Sequence, residues 1–469
     1  MASSRLSRRD MLRMSGIALG AVAVAACAPA PTPAPPAAAP TKAPATAVPP
    51  TAAPATAAPA PTAAPASKAA VTLVVWHDGN YGEAILKQTY GSFEAKTPNA
   101  KIDYLAVAGG QMQTKVTAAA AGAALPDVFM QGHLSTPTFA AKKVTIPLDD
   151  LAKKANADLT AFWPSGFEHC KWAGETHGLP LECGPSMWVY NKALIEKAKL
   201  EDPWEVAKKG QWTQETFDAY IKALTTGTGD DRYWGTFEPS KSLRIQEPWI
   251  KGFGGAVFSP DYLKCLINSD AAVKAWEYIL GWRWNGWAAT PGDTLAGHQG
   301  ILPLFNAGRI GFVYFPRGLW PSLNHKDLKL GLVPAYKFTI AGKTLTRAGV
   351  NQWSVTKQSK ISDVAFQFAY HGATVGNDDM VKAQSGTPNR PAAMKADLWL
   401  KPLNPWEDPQ AWIQGFDALT TTICPPGFPE IDNLTQQAYD KAFGKGVTVK
   451  AAMDEVVKQA DAILKEQRG

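Results

Sequence analysis

Cysteine is scarce in this chain: five residues in 469, one of which, Cys27, stands alone near the N-terminus. That excludes a small scaffold stapled by disulfides. The other four, Cys170, Cys183, Cys265 and Cys424, are an even number, and three full pairings stay open. Blocks of like charge are missing as well. Lys and Arg total 47 and Asp and Glu 41, but residues 1–67 hold Arg5, Arg8, Arg9, Arg13 and Lys42 against the single acid Asp10. Without them 42 bases face 40 acids, so the body is near neutral and carries no nucleic-acid footprint. No apolar run after the leader reaches membrane length. The chain has no HExxH, no phosphate-cradling glycine loop, no nucleophile elbow and no solenoid period. Tryptophan is absent before Trp76, so all 17 lie beyond residue 75.

What is present begins with a leader. The basic start is followed by an apolar stretch from Met14 to Ala26, the size of a signal-peptide core and too short to span a bilayer. Ser7-Arg8-Arg9-Asp10-Met11-Leu12 has the twin-arginine form of the Tat route. Val24-Ala25-Ala26-Cys27 resembles a bacterial lipobox, which implies a signal peptide over 1–26 and lipidation of Cys27. From Ala28 to Ser67 the chain is Ala, Pro, Thr and Ser with one Val and one Lys. Such a segment buries too little apolar surface to offset its ordering entropy. As polyproline II it reaches on the order of 100 Å. Residues 27–67 therefore read as an anchored tether, and the protein as exported and held on the outer face of the cell membrane.

The body opens with the apolar run Val71-Thr72-Leu73-Val74-Val75-Trp76, which predicts a strand. Ile85, Leu86, Tyr90 and Phe93 predict a helix, Ile102–Val107 a second strand, Gln111–Ala124 a second helix and Asp127–Met130 a third strand. This alternation predicts a parallel α/β sheet, whose ligands sit beyond the carboxyl ends of the strands. Glu168–Leu181 reads as a hairpin turning at Ala173-Gly174, so that Cys170 faces Gly178 and a Cys170–Cys183 bridge is off register. Thr213 is a helix N-cap, 269–285 an aromatic-rich helix with Trp276, Trp282, Trp284 and Trp287 mostly in the core, and Val350–Val355 a strand. Met453, Val456, Val457, Ala460, Ile463 and Leu464 share one face of a C-terminal helix.

In order and spacing these features resemble the family 1 extracellular solute-binding proteins, the maltose-binding-protein-like receptors of ABC importers. The resemblance runs through Leu125-Pro126-Asp127-Val128-Phe129, His177-Gly178-Leu179-Pro180, Gln246-Glu247-Pro248-Trp249 and Phe305-Asn306-Ala307-Gly308-Arg309. It implies two discontinuous α/β lobes with a hinge and an interlobe cleft: 68–181 plus 352–393, and 184–348 plus 396–469. Gly178, Gly184 and Gly349 lie near the crossings, where a hinge and a simple turn are equally good readings. The implied function is capture of a carbohydrate by a monomer and delivery to a permease, with no cofactor, metal or catalysis.

A pyranose presents apolar faces ringed by hydroxyls, so its site needs aromatic platforms beside planar polar groups. On the cleft loops that the family resemblance implies, the candidates are Trp76, Asp78, Gln131, His133, Glu247, Trp249, Arg317, Trp320, Asn351, Trp353 and Arg390. Gln131 stands where the family's maltose receptor carries a tryptophan, so maltose itself is not implied. A glycan-cleaving enzyme is the main rival, with Asp78 and Glu247 as its carboxylate pair. A metal site at His169, Cys170, His177 and Cys183 matches no zinc spacing. Within the same fold a polyamine, iron or phosphate-ester ligand is a further alternative. Buried acids would favour the first and an arginine cluster the last, and the sequence displays neither plainly.

Overall fold

The computed structural model describes residues 70–467 apart from 239, 291–300, 396, 401–402 and 445. The leader, Cys27 and the tether lie outside the described residues. The fold starts as the apolar pattern predicts: β1 (Val71–Asp78), α1 (Glu83–Lys96), β2 (Ala100–Val107), α2 (Met112–Ala121) and β3 (Val128–Gly132). β1 pairs in parallel with both β2 and β3. Along β1, Leu73, Val75 and His77 are buried while Val74, Trp76 and Asp78 are half-buried, the period of a strand with unequal faces.

β4 (Leu179–Asn191) is longer, and only Glu182 along it escapes full burial. The elements that follow include α3 (Leu243–Gly252), α4 (Asp270–Trp284), β5 (Phe312–Pro316), β6 (Leu330–Val333) and β7 (Thr346–Val355). α5 (Ser362–His371), β8 (Leu419–Thr420), α6 (Phe428–Phe443) and α7 (Val449–Glu466) complete the frame. The main sheet runs β6-β4-β7-β3-β1-β2, with β8 beside β7 and β5 beside β4. β4 and β7 are the two strands that cross. The first half of β4 pairs with β7, which also pairs with β3. The second half pairs with β5 and β6 instead.

Two hydrophobic cores flank the crossing. One gathers Leu73, Val75, Tyr90, Phe93, Trp353 and Phe368. The other is larger and centres on Trp188, which packs against Phe217, Trp282, Phe312 and Tyr314. Met394 and Trp399 belong to this second core, so the chain has left the first by that point. Thr213, Ser269 and Thr448 each accept a backbone N–H at a helix start. Caps of this kind contribute about 1 kcal/mol apiece.

Several local readings differ from the structure. Glu168–Leu181 is not one hairpin. A helix (Pro164–Glu168) precedes a short hairpin of Lys171–Trp172 with Glu175–Thr176, and β4 begins at Leu179. The turn does fall at Ala173 and Gly174, both at positive φ. The His177 N–H donates to the Cys170 carbonyl at 2.8 Å, so Cys170 faces His177, one residue short of Gly178. Cys170, Cys183, Cys265 and Cys424 are buried free thiols. β7 starts four residues before Val350, because Thr346-Arg347-Ala348-Gly349 offers no apolar run for a sequence pattern to catch. Trp284 is 36 % exposed rather than in the core, its Nε1 donating to the Phe443 carbonyl at 3.2 Å. No helix among the described residues is long and apolar enough to cross a membrane.

Candidate functional site

A cavity of about 580 Å³ opens where β4 and β7 cross. Gly184 and Gly349 pair directly at the crossing and both line it. A Cβ on Gly184 would come within 2.7 Å of the Thr387 hydroxyl, which explains a glycine there, whereas Gly349 has room for one. Beside them the pairing slips: Asn351 faces Glu182, and Gln352 faces Pro180, leaving Leu181 as a bulge. Bulges re-aim the side chains around them. Here Glu182 and Asn351 both line the cavity.

One wall is a set of hydroxyl-matching groups. Glu182 accepts from the Tyr81 hydroxyl and, at 2.8 Å, from Asn351 Nδ2. Burial and the neighbouring Glu182 charge push the Tyr81 phenol well above its ordinary range, so it stays a neutral donor. Asp78, at the carboxyl end of β1, accepts from the Asn80 backbone N–H at 2.8 Å and lines the cavity. His133 follows β3, with Nδ1 3.0 Å from the Val350 carbonyl. A carbonyl only accepts, so Nδ1 carries the proton. Nε2 is then an acceptor, buried and without a partner. Burial, with help from His169 and Arg347, holds this imidazole well below its usual pKa and therefore neutral.

The other wall is basic. Arg244, Arg317 and Arg347 all line the cavity. Arg317 Nε lies 3.5 Å from the buried Glu407 carboxylate, and its guanidinium sits 4.4 Å over the Trp399 ring. Arg317 also donates to the Gln384 carbonyl at 3.2 Å and to the Gln384 side chain. Among the described lining residues there is no tryptophan, and Tyr81 and His133 supply the aromatic rings.

Residues 75–370 match the family model described as bacterial extracellular solute-binding protein. The chain belongs to this family. A relative described as a binding protein, from Brucella abortus strain 2308, is 23 % identical over 429 residues, covering 86 % of this chain and 95 % of its own. Two solved structures share the fold. One is an ABC substrate-binding protein from Listeria monocytogenes in complex with cycloalternan, at 20 % identity and a TM-score of 0.72, covering 84 % of this chain and 99 % of that one. The other is the sugar-binding protein MalE from Xanthomonas citri, at 16 % identity and a TM-score of 0.73, covering 85 % and 98 %. The α/β body is thus of the periplasmic-binding type II class, two lobes around a cleft.

Of the site residues expected from sequence, this solute-binding protein brings Asp78, His133, Arg317 and Asn351 to the cavity. The others it places elsewhere. Trp76 packs beside α2, with Lys115 4.7 Å over its ring. Gln131 is buried, donating to Ser354 Oγ at 2.7 Å. Glu247 pairs with Lys251 at 2.7 Å. Trp249 is 2 % exposed, its Nε1 donating to the Tyr336 hydroxyl at 2.7 Å. Of α3, Arg244 lines the cavity while Glu247 and Trp249 are buried outside its lining. Trp320 packs on Trp406 and Trp412, behind Arg317. Trp353 is fully buried against Phe368. Arg390 is taken up by Asp378 at 2.6 Å and the Thr374 carbonyl at 3.2 Å.

Trp249, Trp320 and Trp353 are therefore core, where aromatic burial is most often found. Sequence reading missed Tyr81, Glu182, Arg244 and Arg347. Glu182 alone carried a signal, as a lone acid in an otherwise apolar and small-residue run. Glu247 is not among the residues that line the cavity with Asp78. No group of three or more potential metal ligands exists among the described residues.

Proposed function

We propose that this solute-binding protein is an extracytoplasmic receptor that captures a carbohydrate in the interlobe cleft and delivers it to an ABC-transporter permease. The observation that carries the reading is the polar wall formed by Asp78, Tyr81, Glu182 and Asn351. Together these groups offer both donors and acceptors, with Tyr81, Glu182 and Asn351 held in place by their mutual hydrogen bonds, as recognition of a polyhydroxylated ring requires. A receptor of the same fold held with cycloalternan supports the carbohydrate class.

The protein binds without catalysis and without a cofactor, as a monomer. Its lobes are 68–181 plus 352–393 and 184–348 plus 396–469, and they close on the ligand about the β4–β7 crossing. Export follows the leader, and lipidated Cys27 with the tether over 27–67 holds the receptor to the outer face of the cell membrane. A thermal-shift screen against mono- and oligosaccharides tests the reading, combined with chromatography of each sugar after incubation. A ligand at 100 times its Kd raises stability by about 2.7 kcal/mol. Turnover of a sugar at catalytic protein levels would replace the receptor by a hydrolase.

A further inference from the structure

Arginine is seldom buried without a carboxylate, because an unpaired charge in a low-dielectric interior is strongly disfavoured. The deeply placed arginines of this protein mostly obey. Arg283 pairs with Glu238 at 2.9 Å, Arg317 with Glu407 at 3.5 Å and Arg390 with Asp378 at 2.6 Å. Arg347 does not. It is 7 % exposed, its Nε is buried without a partner, and its side chain has no ion pair or hydrogen bond among the described residues.

The residue beside it makes matters worse. Arg244 is half-buried, lines the same cavity and also lacks an ion pair among the described residues. Burial, and then the like charge of Arg244, bring the Arg347 guanidinium down to about 9, which still leaves it charged at neutral pH. The nearby Asp432 is occupied at the start of α3, accepting from the Leu243 N–H at 2.6 Å and the Ser242 hydroxyl at 2.9 Å. Glu182, on the opposite wall, is engaged by Tyr81 and Asn351.

Two guanidiniums without an ion pair among the described residues thus face a cavity whose described lining holds no tryptophan platform. Such an arrangement is poor for a neutral sugar, which binds by stacking, and suited to an oxyanion, which guanidinium forks grip in pairs.

We propose that the ligand is an acidic carbohydrate, whose carboxylate or phosphate ester is bound by Arg347 and Arg244 while its hydroxyls meet the Asp78–Glu182–Asn351 wall. This rests on the carbohydrate-receptor reading and narrows it. The anion supplies the missing counter-charge, so the apo protein carries a destabilising pair that the bound protein does not.

The test uses the purified protein and calorimetric titration with three probes: a neutral hexose disaccharide, the matching hexuronate disaccharide and a hexose phosphate. The expected result is that at least one acidic probe binds ten times or more tighter than the neutral one. A preference between the two acidic probes distinguishes carboxylate from phosphate. Arg347→Gln should weaken that binding at least tenfold while raising the apo unfolding midpoint by a few degrees, since it removes an unpaired buried charge. Arg283→Gln, which breaks a paired arginine, should lower the midpoint. Arg244→Gln gives a second, more exposed variant should Arg347→Gln fold poorly, and it should weaken acidic-probe binding likewise. Neutral probes binding as tightly as acidic ones, in the wild type and both variants, overturn the acidic ligand and leave the receptor reading standing. If no sugar of either kind binds, and the wider sugar screen is also blank, both fall.

Discussion

Asn351 and Glu182 face each other across the antiparallel pairing of the two crossing strands, with Asn351 Nδ2 donating to Glu182 Oε1 at 2.8 Å. The bond lies at the point where β4 leaves one core and enters the other, so it ties the ligand wall to the crossing itself. Tyr81, after β1, closes the set by donating to the same carboxylate oxygen.

Removing that carboxylate charge should act on binding more than on folding. Glu182→Gln keeps the shape but loses a charged acceptor, and hydrogen bonds to charged groups contribute about 1.5–3 kcal/mol. Sugar affinity should fall by roughly ten- to a hundredfold with the unfolding midpoint little changed. Calorimetric titration beside thermal melting reads both. Normal affinity in the variant would remove Glu182 from the site.

Trp249→Ala should behave in the opposite way. Its ring packs against Trp282 and Tyr314 in the larger core. Truncating a buried tryptophan costs about 3–5 kcal/mol of stability. Denaturant unfolding should report that loss, while the fraction that remains folded binds sugar with nearly unchanged Kd. A binding defect without a stability defect would return Trp249 to the cleft.

The Arg317–Gln384 contact bears on closure. Gln384 follows a helix (Asn377–Lys382) whose Asp379 accepts from Gln88 of α1 at 3.2 Å, whereas Arg317 follows β5. The contact therefore links the segment that follows β5 to one packed beside α1. Gln384→Ala should shift the ligand-free population toward open forms and lower apparent affinity a few-fold, in proportion to the closed fraction lost. Small-angle scattering without ligand should show a larger radius of gyration. An unchanged profile would mean that the contact does not govern opening.

Acid should destabilise the body through its buried histidines. His169 is fixed as a neutral ring, its Nδ1 2.8 Å from the Ser165 carbonyl and its Nε2 accepting from the Thr422 N–H at 2.8 Å. Burial, its largest influence, pulls its pKa down to about 3. The unfolded chain takes up the proton near pH 6.5, so stability is complete above that value and declines as pH falls toward 3. One such group loses about 1.4 kcal/mol per pH unit across that window. His169→Gln should flatten the slope between pH 6 and 4, measured by denaturant unfolding at each pH.

Cys27→Ala tests the anchor. The variant should appear in the soluble fraction with unaltered sugar affinity. Continued sedimentation with membranes would mean that Cys27 is not what holds the protein there.

The motif order from Leu125 to Arg309 was enough to indicate the family, because those residues set strand ends, turns and helix starts along the chain. The apolar periods likewise located β1, α1, β2 and α7 directly, since burial of one face is written into the spacing of the residues. The proposed leader and the lipobox resemblance rest on sequence only, being local signals that need no fold. Site residues were legible where the β1 and β3 ends, Asp78 and His133, follow from parallel-sheet topology.

The tryptophans misled because sequence records a ring's place in the order of the chain and not its direction. The period of α3 turns Trp249 into the core while Arg244 lines the cavity, and Trp353, two residues on from Asn351, is buried against Phe368. Sequence alone therefore determined the elements and the family, which depend on local pattern, and it alone carries the proposal of an anchor at Cys27. The identity of the cavity wall was decided by tertiary structure. A one-residue bulge at Leu181 and the helical phase of α3 choose which side chains meet, and both are set by packing between segments far apart in the chain.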